Sequence, residues 1–183
     1  QGKQEAGQLL QTRTSLDWVI VRPPAVYGPG DQEMLPMFEW MARGLVPVPG
    51  APTARLSLIH VQDLVAAIIA CLESSAARHQ VLYACDGKPE GYNWLELTAI
   101  ASALWSRRVR MWQVPAWLLN AAARVNVWLS AVTGKAPMLT PPKLRELRHQ
   151  NWVVDNAAMS ASTGWEPKID LKHGLDALKI RQI

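Results

Sequence analysis

The sequence has few cysteines and no uninterrupted apolar run long enough to cross a bilayer. Of its 183 residues only Cys71 and Cys85 are cysteines, and their surroundings contain no metal-ligand spacing. Two buried thiols in a reducing compartment are the simplest interpretation. The apolar stretch 115–132 is interrupted by Asn120, Arg124 and Asn126, which makes it a poor membrane span. We therefore expect a cytoplasmic protein with no metal site and no transmembrane segment.

Phenylalanine is also scarce, since a single Phe stands against nine tryptophans. A Trp-rich core is the commoner explanation, and rings that line a pocket or an interface are the alternative. The hydrophobic share of 49% and the charged share of 19% are typical of a globular protein with one domain, or a domain and a lobe. The net charge of +4 is mild, and the basic clusters 107–110 and 143–149 are short. No nucleic-acid-binding motif accompanies them, so we do not expect nucleic acid as a partner.

One stretch organises the rest of the chain. Residues 18–21 are a short apolar run rich in β-branched residues, which predicts a strand buried on both faces, as in parallel sheets. Pro23 and Pro24 end this strand, and residues 28–31 force a turn. Open α/β sheets bind their ligands outside the carboxyl ends of the strands. The stretch therefore predicts a ligand-binding loop, with an ordinary strand-to-helix connection as the alternative.

Hydrophobic periodicity and turn residues predict the other elements. Asp31 is expected to cap a helix that begins near Met34 and stops at residues 43–44. The remaining predictions are helices over 1–13, 60–73, 92–105, 115–134, 143–149, 155–164 and 171–180, and strands over 55–61, 80–84 and 109–114.

Three residues of the run 57–63 resemble the components of a catalytic triad, namely Ser57, His60 and Asp63. In one short strand-to-helix run these side chains diverge, and nothing nearby indicates an oxyanion hole. We therefore reject a triad and expect Asp63 to serve the helix N-terminus and His60 a local hydrogen bond.

The run Arg-Pro-Pro-Ala-Val-Tyr-Gly-Pro-Gly-Asp over 22–31, followed by Ser-Leu-Ile-His-Val-Gln-Asp-Leu over 57–64, resembles the extended short-chain dehydrogenase/reductase superfamily. The segments 164–167 and 174–175 fit the closing pattern of this group of NAD(P)-dependent epimerases, dehydratases and hydroxysteroid-dehydrogenase-like enzymes. No Gly-rich nucleotide-binding turn occurs in the sequence. The resemblance therefore implies an α/β fold comprising the C-terminal part of a Rossmann-type doubly wound parallel sheet and a small mixed α/β substrate lobe. Residues 1–27 and 61–87 would belong to the sheet, and residues 28–60 and 88–183 to the lobe.

The resemblance also implies a site. Family members carry a Tyr and, four residues later, a Lys on one helix, and Lys3 occupies the place of that catalytic and cofactor-binding Lys. The Tyr would fall two residues before Gln1; an exposed terminal lysine is the alternative for Lys3. NAD or NADP is the implied cofactor, and a homodimer through the N-terminal helix is the implied assembly. The implied cofactor-binding residues are Lys3, Arg22, Pro23, Pro24 and Val26, and the implied substrate-binding residues are Ala25, Tyr27, Met34, Met37 and Arg55.

The expected activity is oxidoreduction or epimerisation at a secondary alcohol or ketone, with this segment inactive by itself. Sugar-nucleotide members of the family carry Asn at the position of Ala25 and Arg at the position of Leu56. Since Arg55 is offset by one residue on the predicted strand, it would face the other way. Both differences favour an apolar alcohol or ketone, as in the hydroxysteroid-dehydrogenase-like and dihydroflavonol-reductase-like branches. The alternatives are a sugar-nucleotide epimerase/dehydratase, a non-catalytic nucleotide-binding sensor or scaffold, and a Trp-rich interaction domain.

Overall fold

The computed structural model describes residues 16–133, 150–178 and 180, so the predicted helices over 1–13 and 143–149 lie outside the described residues. The strands are β1 (Val19–Arg22), β2 (Ala25–Tyr27), β3 (Leu45–Val48), β4 (Arg55–Leu56), β5 (Leu58–His60), β6 (Gln80–Tyr83), β7 (Tyr92–Asn93), β8 (Arg110–Gln113) and β9 (Asn151–Trp152). The α-helices are α1 (Leu35–Ala42), α2 (Val61–Glu73), α3 (Trp94–Leu104), α4 (Ala116–Thr133), α5 (Ala157–Thr163) and α6 (Leu171–Ala177).

The described chain divides into two compact units, each assembled from separate segments. Unit 1 contains residues 16–34, 57–91 and 153–178, and unit 2 contains residues 35–56, 92–133, 150–152 and 180. Residues 57–60 and 153–178 thus pack with β1, whereas the predicted boundaries place them in a substrate lobe. Which segments act as the Rossmann sheet and which as the lobe stays a prediction.

Unit 1 is built on two parallel strand pairs. β1 lies beside β6 with Val19 opposite Gln80, and β2 lies beside β5 with Tyr27 opposite His60. The apolar run of β1 predicts such parallel pairing, because parallel strands are covered on both faces. Its strands pack on a core formed with α2 and α5, which contains Ile59, Ala67, Cys71, Ala77, Leu82, Ala84, Met159 and Trp165.

Unit 2 contains β3 parallel to β8, and a second sheet in which β4 lies between antiparallel β7 and parallel β9. Asn93 caps α3 as predicted, since its Oδ1 accepts a hydrogen bond of 2.8 Å from the Glu96 backbone N–H. Pro36 lies in the first turn of α1, where a missing N–H costs nothing. Gly44, just beyond this helix, has φ +88°, as expected of a helix stop.

The strand predicted over 55–61 is divided at Ser57, where the chain passes from one sheet to another. Arg55 and Leu56 form β4 in unit 2, whereas Leu58 begins β5 in unit 1. The Ser57 hydroxyl accepts a hydrogen bond of 3.1 Å from the Val154 backbone N–H and lies 3.4 Å from the Val154 carbonyl oxygen. This exchange ties the break in the strand to the segment before α5. Arg55 and Leu56 point to opposite faces of β4. Their directions do not show which way either side chain lies relative to β5.

In the part of the chain that the structure describes, no helix is long and apolar enough to cross a membrane.

Replacing Gly174 by Ala should destabilise unit 1. A Cβ at this position of α6 would press on the Tyr27 hydroxyl oxygen and lie 2.7 Å from ring atom Cε2. Overpacking costs about 1–3 kcal/mol and helix propensity offsets about 1 kcal/mol of this, so we expect a net loss of up to about 2 kcal/mol. Urea denaturation measures this loss.

Tyr27→Phe provides the matched background for that experiment, because it removes the atom that the new methyl group would meet first. In Tyr27→Phe, the further change Gly174→Ala should cost less than it does in the wild type, by about 0.5 kcal/mol or more. Equal costs in the two backgrounds would contradict the proposed clash.

Candidate functional site

A cavity of about 460 Å³ lies in unit 1, beside the stretch that follows β1. Its volume is within the range of small-molecule sites, and its place beyond β1 is where α/β sheets bind ligands. Almost the whole lining comes from one continuous segment, with a single contribution from α2. The lining residues are Pro24, Ala25, Val26, Tyr27, Gly28, Pro29, Gly30, Asp31, Glu33, Met34 and Val61.

Asp31 holds the turn that closes this cavity. Its carboxylate accepts backbone hydrogen bonds from Glu33 at 2.8 Å and from Met34 at 3.0 Å, and its own N–H donates to the Gly28 carbonyl at 3.1 Å. Helix α1 begins only at Leu35. The expectation that Asp31 caps this helix is therefore wrong, because the carboxylate is engaged by the turn before it.

Gly28 allows the turn to approach α2 closely. Its φ is +140°, and a Cβ there would lie 2.6 Å from Val61 Cγ1 and 3.2 Å from His60 Nε2. Only glycine adopts this backbone conformation readily and leaves that space empty. The Gly-Pro-Gly turn of the sequence is thus required both for the bend and for the contact with α2.

His60 lies beneath this turn and is 2% exposed. Its Nδ1 accepts a hydrogen bond of 3.3 Å from the Gln62 backbone N–H, which confirms the expected local hydrogen bond. Since Nδ1 accepts, the neutral ring carries its proton on Nε2, and within the described residues Nε2 has no hydrogen-bond partner. Burial lowers the pKa of His60, and the nearby Asp63 carboxylate partly opposes this effect.

Tyr27 packs edge-to-face on His60, with ring centroids 5.3 Å apart. The Tyr27 hydroxyl donates a hydrogen bond of 3.3 Å to the Asp170 carbonyl, and its ring is fully buried. Burial raises the pKa of Tyr27 far above its usual range, and the carboxylates of Asp86, Asp170 and Asp63 add to the effect. The phenol therefore remains protonated at neutral pH.

Asp63 lies in the first turn of α2, as expected, but its carboxylate makes its hydrogen bonds outside this helix. Its carboxylate accepts backbone hydrogen bonds from Lys168 at 3.1 Å and Ile169 at 2.8 Å, and the residue is 4% exposed. A buried carboxylate is stable only when such donors replace water. Asp63 thus joins α2 to the segment before α6, a contact that no local pattern in the sequence could reveal.

The structure brings some of the predicted site residues together and separates others. Around the cavity lie Pro24, Ala25, Val26, Tyr27 and Met34. Their assignment to cofactor or substrate stays a prediction.

The other predicted residues do not line this cavity. Arg22 and Pro23 are exposed, and the Arg22 guanidinium lies 3.5 Å from the Tyr83 hydroxyl. Met37 and Arg55 belong to unit 2, where Arg55 pairs with Glu96 at 3.7 Å. Lys3 lies outside the described residues.

Sequence reasoning missed the contributions of Glu33 and Val61 to the cavity. Val61 immediately follows His60 in the motif over 57–64, so that motif was the available signal for its approach to the turn.

A second, more open cleft of about 540 Å³ lies in unit 2, where Gln113 donates a hydrogen bond of 3.4 Å to the Gly50 carbonyl. Its lining contains no ionisable side chain, so it offers fewer groups for catalysis or for binding a charged ligand than the cavity in unit 1 does. Among the described residues, no cluster of His, Cys, Asp and Glu could hold a metal ion.

Comparison with known proteins agrees with this architecture. Residues 3–85 match the NAD dependent epimerase/dehydratase family. A UDP-glucuronic acid 4-epimerase from Bacillus cereus, solved with UDP-glucuronic acid and NAD, aligns with a TM-score of 0.65 at 16% identity over 95% of this chain and 48% of that chain. The resemblance to the extended short-chain dehydrogenase/reductase superfamily is confirmed. The α/β fold class with a partial Rossmann-type sheet is confirmed with it.

Two curated relatives carry names that stand for different chemistry. A ceramide reductase from Caulobacter vibrioides (strain NA1000 / CB15N) is 34% identical over 143 residues, which are 78% of this chain and 44% of the relative. A UDP-glucose 4-epimerase from Vibrio cholerae is 26% identical over 163 residues, which are 88% of this chain and 45% of the relative. The chain spans less than half the length of either curated relative.

Gly28→Ala should lower stability more than Gly30→Ala does. Both glycines have positive φ, but a Cβ at Gly30 meets nothing within 4 Å, whereas a Cβ at Gly28 meets Val61. Gly30→Ala shares the positive φ but lacks the contact, so the loss in Gly28→Ala should exceed the loss in Gly30→Ala by at least the overpacking cost of about 1–3 kcal/mol. Chemical denaturation of both variants measures it. Val61→Ala should recover part of the loss in Gly28→Ala; equal losses in the two glycine variants would contradict the close approach.

The free energy of unfolding should fall as the pH drops below about 6.5, the ordinary His pKa. The pKa of His60 is lowered in the folded state. In this pH range the imidazole therefore binds a proton in the unfolded chain but not in the folded chain. His60→Asn keeps a cap acceptor but removes this titration. Between pH 6.5 and 5 the wild type should lose stability more steeply than the variant, by up to about 1.4 kcal/mol per pH unit. Denaturation at several pH values measures both slopes, and parallel slopes would show that His60 does not titrate as described.

Proposed function

We propose that this chain is the C-terminal part of an NAD(P)-dependent oxidoreductase that acts on a secondary alcohol or ketone of an apolar, lipid-like molecule. The observation that carries the proposal is the charge of the cavity lining. It contains the carboxylates Asp31 and Glu33 and no lysine or arginine. Such a lining is unsuited to the diphosphate of a nucleotide sugar, since nearby carboxylates repel it and no cation offsets the repulsion.

The remainder of the lining is suited to an apolar ligand. Ala25, Val26, Met34 and Val61 provide apolar surface. The polar groups that are present already have partners, because the Asp31 carboxylate is bound by the turn and the Tyr27 hydroxyl by the Asp170 carbonyl. A ligand with few polar groups would leave these hydrogen bonds intact and bury apolar area at about 25 cal/mol per Å².

The cavity also suits the nicotinamide end of a cofactor. Pro24, Ala25 and Val26 would contact the ring. The bound cofactor would supply a hydride to the carbonyl carbon of the substrate or accept one from the alcohol. The residues of this loop would orient the ring and exclude water from it, whereas proton transfer is assigned by resemblance to the Tyr and Lys3 helix.

The relatives support the same choice of substrate. The ceramide reductase carries the name of a lipid and is the more similar of the two curated relatives, at 34% identity against 26% for the UDP-glucose 4-epimerase. The epimerase and the superfamily fold favour the second candidate, a sugar-nucleotide epimerase/dehydratase. Under that alternative, the cation for the diphosphate would have to come from outside this lining.

An activity screen of the full-length protein tests the proposal. Long-chain oxo-lipids and sterol ketones are assayed with NADH and NADPH against UDP- and dTDP-sugars, following nicotinamide absorbance and product formation. We expect kcat/KM for at least one apolar ketone to exceed that for every nucleotide sugar by about 100-fold or more, since burial of an unpaired polar group costs about 3 kcal/mol or more. Efficient turnover of a nucleotide sugar alone would replace the proposal by its alternative. A full-length protein that binds either cofactor but turns over nothing would support the sensor or scaffold.

A further inference from the structure

Helix α6 contains a glycine that the helix itself does not require. Gly174 lies inside Leu171–Ala177, and its φ is not positive. Glycine is among the poorest helix formers, so a glycine inside a helix indicates a packing constraint. Here the constraint is Tyr27, because a Cβ at Gly174 would lie 2.9 Å from ring atom Cζ and closer still to the hydroxyl oxygen. The missing methyl group lets the phenol ring lie against the helix.

Tyr27 meets α6 at a second point as well. Its hydroxyl donates a hydrogen bond of 3.3 Å to the Asp170 carbonyl, which also accepts the Gly174 N–H at 3.0 Å. Tyr27 is at the same time one of the residues that line the cavity of unit 1, whereas none of the residues Leu171–Ala177 does. A change in α6 can therefore reach the cavity through this ring.

Helix α6 is held in place on two sides. Just before it, the Asp63 carboxylate binds the backbone N–H groups of Lys168 and Ile169 at 3.1 and 2.8 Å. Within it, Leu171 and Leu175 are almost completely buried. Because a packed interior does not absorb extra volume without a shift of its neighbours, a methyl group added to α6 would displace the facing phenol ring rather than the helix.

The displaced ring would move towards the cavity. His60 closes another side of the Tyr27 ring, with ring centroids 5.3 Å apart and ring planes at 78°. His60 is itself 2% exposed and held by the Gln62 backbone N–H. The empty volume that borders Tyr27 is the cavity of about 460 Å³, so the displacement is expected to be taken up there.

We propose that Gly174 is a positioning residue for the nicotinamide ring: by omitting one methyl group, it holds Tyr27 back and keeps the cavity deep enough. This inference rests on the proposed function, in which Pro24, Ala25 and Val26 contact the nicotinamide. Ala25 and Tyr27 are two residues apart on β2 and so share one face of the strand. The diphosphate of the cofactor would lie outside this cavity, whose lining has no lysine or arginine.

Binding of matched ligand pairs to the full-length protein tests this role. NADH is compared with ADP-ribose, and NADPH with 2′-phospho-ADP-ribose, because the second ligand of each pair lacks only the nicotinamide. Gly174→Ala should weaken binding of the reduced cofactor by about tenfold or more, the effect of overpacking by one methyl group. The ligand without nicotinamide should bind as it does to the wild type. Isothermal titration calorimetry measures both, and equal weakening of the two would overturn the proposal.

Gly164→Ala is the matched control for lost stability. It also replaces a glycine of unit 1, and its φ of +70° strains an alanine, but its Cβ would meet nothing within 4 Å. It should lower stability and leave both affinities unchanged. In a Tyr27→Phe background, which lacks the hydroxyl that the new methyl group would meet first, Gly174→Ala should weaken cofactor binding less. An undiminished loss there would overturn the route through Tyr27.

A crystal structure of the full-length Gly174→Ala variant decides the geometry without any ligand. We expect the Tyr27 ring to be shifted towards the cavity and the cavity volume to be reduced. An unmoved ring beside a displaced α6 would overturn the inference. If the wild type binds neither NADH nor NADPH, the proposed function is overturned, and this crystal structure alone then decides whether Gly174 sets the depth of the cavity.

Discussion

The buried carboxylate of Asp63 is the interaction on which the rest of unit 1 depends. It binds the backbone of Lys168 and Ile169 and so fixes the start of α2 against the segment that leads into α6. His60 immediately precedes α2, and Gly174 of α6 packs on Tyr27. The floor of the candidate site is thus formed by elements that this carboxylate holds together. Loss of the carboxylate would remove the acceptor of two partly buried N–H groups, each of which contributes about 0.5–1.5 kcal/mol or more when bonded to a charged group.

Local patterns in the sequence predict most of the elements of the fold. The apolar run of β1, the helix caps at His60 and Asn93, and the stop at Gly164 are decided by residues within one or two turns of each other. Gly164, for example, ends α5 with φ +70°, a conformation that glycine adopts without strain. The loop that lines the cavity was predicted for the same reason, since proline and glycine determine its course locally.

Features that depend on distant partners could not be predicted. The short strand β2 exists because Val26 pairs with Ile59. No feature of residues 22–31 indicates that Ile59 is the pairing partner. The switch of sheets at Ser57 depends on Val154, 97 residues away. The sequence could not show that Arg55 and Leu58 lie in different sheets, because alternation along a strand describes the facing of side chains only while the strand remains in one sheet. A pattern of period two cannot show where a strand ends its pairing.

The long reach of the Asp63 hydrogen bonds has a consequence for how the chain is made. Lys168 lies 105 residues after Asp63 in the chain. At about 5–20 residues per second, the ribosome needs roughly 5–20 s to synthesise that stretch. The first parallel pair likewise cannot form until β6 has emerged, and contacts of such separation are slow to close. During this interval the nascent α2 exposes its apolar side chains without its later partners. The nascent chain therefore exposes apolar surface that the core of unit 1 later covers, at Ala67 and Cys71 among others, and this is surface that a chaperone would bind.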